Sequence, residues 1–364
     1  MSVTINGTNG LVFNDGSAQN TAATGFGFKN RIINGAMMID QRNAGASVTS
    51  SANGTYFLDR WRNYQTANSK FSVQQSSTAP TGFTKSMLIT SLSAYSIGAG
   101  DILAMDCRIE GNNVADLAWG TASASPVTLS FWVRSSLTGT FGGAVSNSAG
   151  NRSYPFTYTI NSANTFEYKT VTIAGDTTGT WLTDTGIGIE LFFSLGTGST
   201  YSGTAGSWAG AQYISATGAT SVVGTSGATF YITGVQLEKG STATSFDYRP
   251  YGAELALCQR YYQRNTAAGS FAHVSLLGSA PTGTNARMPF PLTCPMRTTG
   301  PSVEFNNLAV DDGAAATNVS NVVQFSGSSQ EITLQATSTG LTTYRPYYLC
   351  SQSTIGFIAL SAEL

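Results

Sequence analysis

The sequence predicts an all-β protein: a jelly-roll sandwich, then a smaller carboxy-terminal β-sandwich, joined by one short helix. Three observations predict it. Only 10% of the 364 residues are Asp, Glu, Lys or Arg, and Gly reaches 40, so hydroxyls and turn residues face water where charges usually do. Apolar residues recur with period two along most of the chain, as in half-buried strands. A helical spacing appears in a single short stretch.

Residues 1–28 hold Val3 and Ile5, then Leu11-Val12-Phe13, the turn signal Asn14-Asp15-Gly16-Ser17 and polar Ala18-Gln19-Asn20-Thr21, a hairpin pattern. Its apolar content is too small to fold alone, so it reads as an arm for trimerisation or attachment.

From 29 to 250 strands dominate. In Val127–Arg134, Val127, Leu129, Phe131 and Val133 share one face while Thr128, Ser130, Trp132 and Arg134 share the other. ILAMDCRIE, YPFTYTI, KTVTIAG, IGIELFFSL and ATFYITGVQLE are further alternating or continuous runs, and about eight to ten such strands make a jelly roll. Residues 196–227, mostly Gly, Ser, Thr and Ala with Tyr201, Trp208 and Tyr213, form a loop long enough to be functional or packed on a neighbour.

Residues 251–265 follow Arg249-Pro250 and place Tyr251, Leu255, Cys258 and Tyr262 on one helical face. A helix of about three turns must dock or bundle, which makes Leu255, Cys258 and Tyr262 candidates for packing about a threefold axis or against the sandwich. Residues 266–364 return to strands: FAHVSLLG, NARMPFPLT, PSVEF, NVVQFSG, EITLQAT and STIGFIALSAEL.

Composition also excludes. A net charge of −1 without a basic stripe argues against nucleic acid. Cys107, Cys258, Cys294 and Cys350 lack metal or redox spacing and read as small buried apolar residues. The opening residues lack a signal-peptide layout, and no apolar run reaches the roughly 18 residues that span a bilayer. The expectation is synthesis in a cytoplasm, with no membrane insertion.

Catalytic patterns are sparse. A lone His273, read as a strand histidine, offers a single base and no nucleophile elbow. Gly25-Phe26-Gly27 and Gly196-Thr197-Gly198 lack the remainder of a phosphate cradle and read as turns. Asp101, Asp106, Glu110 and Asp116 are the densest acidic stretch. Asp106 and Glu110 share a strand face with Arg108, so a solvated or subunit-facing ionic row is favoured over a glycosidase pair. The chain reads as no enzyme. No cofactor is implied; a loop-bound structural calcium stays open, because carboxylates and carbonyls can supply it without a motif.

Sugars are held by flat aromatic faces beside amides and hydroxyls. Trp132, off the aliphatic face of its strand, and Tyr201, Trp208 and Tyr213 in the long loop are candidate contacts. Tyr344, Arg345, Tyr347 and Tyr348 in the turn TTYRPYY are the others.

Several segments resemble bacteriophage tail-fibre and tail-tip proteins with a carbohydrate-binding-module-like jelly roll. GLVFNDGSAQNTAA is similar to their amino-terminal segment, and NRIINGAMMIDQRNAG with YFLDRW to the start of that domain. CRIEGNNVADLAWG, LSFWVRSSLTGTF and NRSYPFTYTI resemble its middle. GATFYITGVQLEKGSTATSFDYRPYGAELALCQRYYQR is similar to a recurrent sheet-to-helix passage, and GFIALSAEL to a last strand. The resemblance implies a homotrimer in the tail of a virion, held to other tail proteins through its amino-terminal arm. Host-surface glycan or receptor recognition follows for the sandwich or for a distal tip at 266–364. A tail spacer without its own receptor and a polysaccharide-cleaving tail enzyme are the other two readings.

Overall fold

Twelve strands of the first two-thirds of the chain lie in two six-stranded sheets. The computed structural model describes residues 28–328 and 330–364 and, before them, three short antiparallel strands, Thr4–Asn6, Gly10–Val12 and Ala18–Gln19. The expected turns at Asn14–Ser17 and Gly25–Gly27 lie outside the described residues.

The first sheet runs, in spatial order, Glu167–Ile173, Val127–Ser135, Thr229–Lys239, Ser86–Ser91, Phe71–Ser76, Val48–Thr49. The second runs Ser153–Ile160, Gly139–Ser146, Ile187–Thr197, Ile102–Glu110, Trp61–Gln65, Tyr56–Leu58. The chain crosses repeatedly from sheet to sheet, as from Ile102–Glu110 to Val127–Ser135 and on to Gly139–Ser146, and partners far apart in sequence, such as Val127–Ser135 with Thr229–Lys239, pair antiparallel. That is jelly-roll topology. The alternation that predicted Val127–Arg134 holds: Val127, Leu129, Phe131 and Val133 are fully buried against Trp61, Phe141, Phe193 and Phe230 of the shared core. Twelve strands stand where about eight to ten were expected, because edge strands of two or three residues are too short to show a period.

The carboxy-terminal unit is a second, smaller sandwich. A three-stranded sheet, Tyr262–Thr266, Phe357–Ser361, Ser302–Asn306, faces a seven-stranded one, and Ile358 and Leu360 meet Met288, Leu334 and Leu349 between them. His273 is not in a strand but in an isolated bridge to Cys350, since Phe271, two residues before it, takes a positive φ of 61° that interrupts extended backbone.

The helix is shorter than expected. It spans Tyr251–Gln259, and Tyr262 opens a strand paired with Ser361, so the stretch expected to be helical to 265 splits into helix and strand. Tyr251 is 58% exposed while Cys258 and Tyr262 are buried inside the single chain, and Leu255 packs beside Cys258 on Ile33, Ile39 and Tyr261. These side chains therefore fill the chain's own core. Buried in this way, Cys258 and Tyr262 take the second of their two expected places, packed within the chain, and offer no surface to a threefold axis.

The acidic row is ionic but not solvated, which corrects the other half of that expectation. Asp106 and Glu110 are buried. Asp106 pairs with Arg62 at 2.9 Å and lies 3.5 Å from Arg108, which reaches Glu190 at 2.7 Å. Glu110 pairs with Arg260 at 2.6 Å and accepts from the Tyr261 hydroxyl. A strand face normally looks outward to water; here Arg260 and Tyr261 come over Glu110, and the Leu364 carbonyl over Arg108. Asp101 lies apart, accepting from Tyr95 at 2.9 Å, and Asp116 pairs with Arg31 at 2.9 Å.

Of the cysteines, Cys107, Cys258 and Cys350 are buried as expected and Cys294 only half so. Among the described residues no helix is long and apolar enough to cross a membrane.

Candidate functional site

The outer face of the first sheet carries a continuous aromatic row. Strand register sets Tyr168 directly opposite Trp132, with ring centroids 5.5 Å apart. Beyond Trp132 comes a bulge in the next strand at Gly234, whose φ is +62°. A Cβ there would fall 2.6 Å from Phe83 Cζ and 3.1 Å from Trp132 Cδ1, so the absent side chain lets the two rings converge on one spot. Phe83 in turn meets Phe246 at 5.1 Å and Tyr248 at 5.4 Å, and these two meet at 4.9 Å.

Phe246 and Tyr248 are delivered by a segment that folds back over its own strand. Gln236 and Glu238, buried on the outer face, hold it: Glu238 accepts from Thr244 N and Oγ1, and Gln236 Oε1 accepts from Asp247 N at 2.8 Å. Tyr248 is 59% exposed and Tyr168 45%, an unusual cost in water unless something covers them. At one end of the row a cavity of about 190 Å³ is lined by Met38, Phe83, Phe246, Tyr248, Tyr251 and Glu254, among others. Its charges are paired: Arg249 reaches Glu254 at 3.2 Å. At the other end Arg134 stacks over Tyr231 at 4.9 Å, and its Nε has no hydrogen-bond partner. Half-exposed aromatic faces of this kind suit a polyhydroxylated ring rather than a reacting centre.

Trp132 is thus the one sequence candidate the structure seats in this row. Phe83, Tyr168, Phe246 and Tyr248 were missed in the sequence; the alternating Phe246-Asp247-Tyr248 next to Pro250 was the available signal. The loop candidates lie apart from this row, each partly buried against the sandwich. Trp208 packs edge-on to Trp119 at 5.3 Å and Trp181 at 5.5 Å, and donates to Ala174 O at 2.8 Å. It plugs one end of the sandwich. Tyr201 packs on Ile102, Ala104, Phe192 and Ile214, and Tyr213 lies against Gly203. Trp208→Ala is expected to lose about 2 kcal/mol of stability; a variant melting like the parent in differential scanning calorimetry would contradict the plug.

In the carboxy-terminal unit the TTYRPYY turn divides. Tyr347 is buried and its hydroxyl accepts from Thr342 N at 3.0 Å, so it is a core residue, a correction. Tyr344 is 82% exposed, Arg345 pairs with Asp312 at 3.0 Å, and Tyr348 stacks on His273 with centroids 4.1 Å apart. His273 lies 3.9 Å from Asp311. Its bridge partner Cys350 has a thiol pushed up to about 11 by burial, far from the thiolate a nucleophile needs. Among the described residues no three His, Cys, Asp or Glu lie together as a metal set.

Neither a protein-family model nor a curated protein sequence matches the chain. Among solved structures, the enzymatically active domain of tailspike protein 4 of bacteriophage CBA120 is similar at 14% identity and a TM-score of 0.30, over 53% of this chain and 21% of that one. The chain thus spans about a fifth of that tailspike chain. The family 11 carbohydrate-binding module of Clostridium thermocellum, in complex with a mixed-linked tetrasaccharide, is similar at 13% identity and a TM-score of 0.28, over 56% and 100%. TmCBM61, in complex with β-1,4-galactotriose, is similar at 11% and 0.26, over 49% and 88%.

Proposed function

We propose that this protein is a non-catalytic subunit of a bacteriophage tail fibre or tail tip that recognises glycans on the host surface. The observation that carries the reading is the continuous row Tyr168, Trp132, Phe83, Phe246 and Tyr248 on the outer sheet face, two of its rings about half exposed. Stacking on such a row is shallow and weak per site. Three copies in a homotrimer, several fibres on a particle and re-engagement at high effective concentration would make adsorption firm. The low charge fits this, since neutral sugars are read by stacking and hydroxyls.

Tyr168→Ala and Trp132→Ala are expected to weaken binding of the trimer to purified host surface polysaccharide by about tenfold to a hundredfold, with unchanged melting for Tyr168→Ala. Glycan binding by surface plasmon resonance is the measurement; parental affinity in both variants would sink the assignment. Appearance of new reducing ends during the same incubation would point to the polysaccharide-cleaving reading instead. A second reading, a tail spacer, is favoured by the exposed Leu276, Leu277, Val323 and Phe325 of the carboxy-terminal unit, which suit contact with another tail protein. Cryo-electron microscopy of the particle separates the two by whether the aromatic row is open or covered.

A further inference from the structure

A cleft of about 650 Å³ lies between the sandwich and the carboxy-terminal unit, and its floor is a strand row. Arg264 and Glu304 both pair in register with Ala359, one from each side. Paired residues point to the same face, and two interstrand spacings put the backbones of Arg264 and Glu304 roughly 10 Å apart. Ala359 between them is itself fully buried, so the trough that holds this cation and this anion is floored by the Tyr262 and Phe357 side chains that line the cleft.

Neither charge is spent on the other. Among the described residues Arg264 has no carboxylate partner: Nε donates to Thr266 Oγ1 at 3.1 Å and Nη1 to the Arg42 carbonyl. Its guanidinium lies 3.8 Å above the Phe357 ring, the residue lines the cleft, and among the described residues Nη2 has no hydrogen-bond partner. Among the described residues Glu304 accepts only from the Tyr262 hydroxyl, at 3.3 Å. The opposite wall brings Asn43, Thr55 and Tyr56. Arg42, which also lines the cleft, is already neutralised by Glu363 at 2.9 Å and stacked on Tyr262 at 3.5 Å.

We infer that this trough is a second binding subsite, for a carboxylated sugar. The open side of the Arg264 fork takes the carboxylate, and Glu304 accepts from ring hydroxyls across the trough. The inference rests on the glycan reading only for the class of ligand; its residues are separate from the aromatic row.

The test is calorimetric titration of the full chain with galacturonic acid trisaccharide and with neutral galactotriose. The parent should bind the charged trisaccharide the more tightly. Arg264→Met, which keeps the stem over Phe357, should weaken that binding about tenfold or more while melting like the parent, and Tyr168→Ala should leave it unchanged. Should Arg264→Met fold poorly, Arg264→Lys supplies the same reading, since it keeps the charge and loses the fork. Equal affinity for the two sugars, or parental affinity in both Arg264 variants, overturns the subsite. Loss in Tyr168→Ala alone would assign the charged sugar to the aromatic row, overturning the trough and leaving the proposed function standing.

Discussion

Glu363→Gln is expected to destabilise the protein by about 3–5 kcal/mol, because it strands a buried guanidinium. Arg60 is 1% exposed. It pairs with Glu363, donates to the Arg108 carbonyl and lies 3.6 Å over the Tyr261 ring. Glu363 also takes Arg42, and the neighbouring Leu364 carbonyl accepts from Arg108 at 2.6 Å and Tyr56 at 3.0 Å. One carboxylate thus ties the last strand of the second sandwich to the second sheet of the first. Removing its charge leaves two arginines competing for a neutral amide. Urea unfolding is the measurement: a midpoint within error of the parent would show that the pairs contribute nothing net. A double variant with Arg60→Met is expected to recover part of the loss, since it replaces the stranded charge with an apolar stem of similar length.

Stability is expected to fall as pH rises from about 5 to 8, by about 2–3 kcal/mol, and to fall less in Glu190→Gln. Burial pushes the Glu190 carboxyl up to about 7 from an ordinary 4.5, against the pull of Arg108, which it shares with Asp106. A carboxyl raised in the folded state binds its proton more tightly there than in the unfolded chain. Its stabilising contribution is complete below pH 4.5 and is lost as pH climbs through 7. Asp59, raised to about 6 by burial, acts in the same direction over a lower range. Glu167, held down at about 2 by Lys169 and by the backbone amides of Asn161 and Ser162, and Glu110 and Asp176, lowered by Arg260 and Arg152, act oppositely. Their contribution is present above the usual carboxylate range and lost as pH falls through their lowered values. The optimum therefore lies near pH 5. A parent equally stable at pH 5 and pH 8 in matched urea titrations would refute the assignment.

Both predictions turn on charges whose roles the sequence concealed. Arg60 and Glu363 are some three hundred positions apart, and nothing local to FLDRW or SAEL marks either as buried. The same holds for the row of rings. Trp132 could be read as facing away from the core because a strand alternates, but its neighbours arrive through a register with Tyr168, a bulge at Gly234 and a fold-back at 241–250. Trp208 looked free in a Gly and Ser loop, and only the meeting of Trp119, Trp181 and Trp208 shows it to be a plug.

What the sequence determined by itself was therefore the all-β class, the core face of the strand Val127–Ser135, and the place of the helix. Those follow from periodicity, which is set by backbone geometry and needs only neighbours along the chain. Where that helix stops was decided by tertiary contact, since Tyr262 joins Ser361 in a sheet instead of continuing the turn. So were the buried ion pairs, the aromatic row and the trough between Arg264 and Glu304. Each depends on which distant strand lies alongside, and strand pairing is fixed by the burial of whole faces, which no single stretch of sequence encodes.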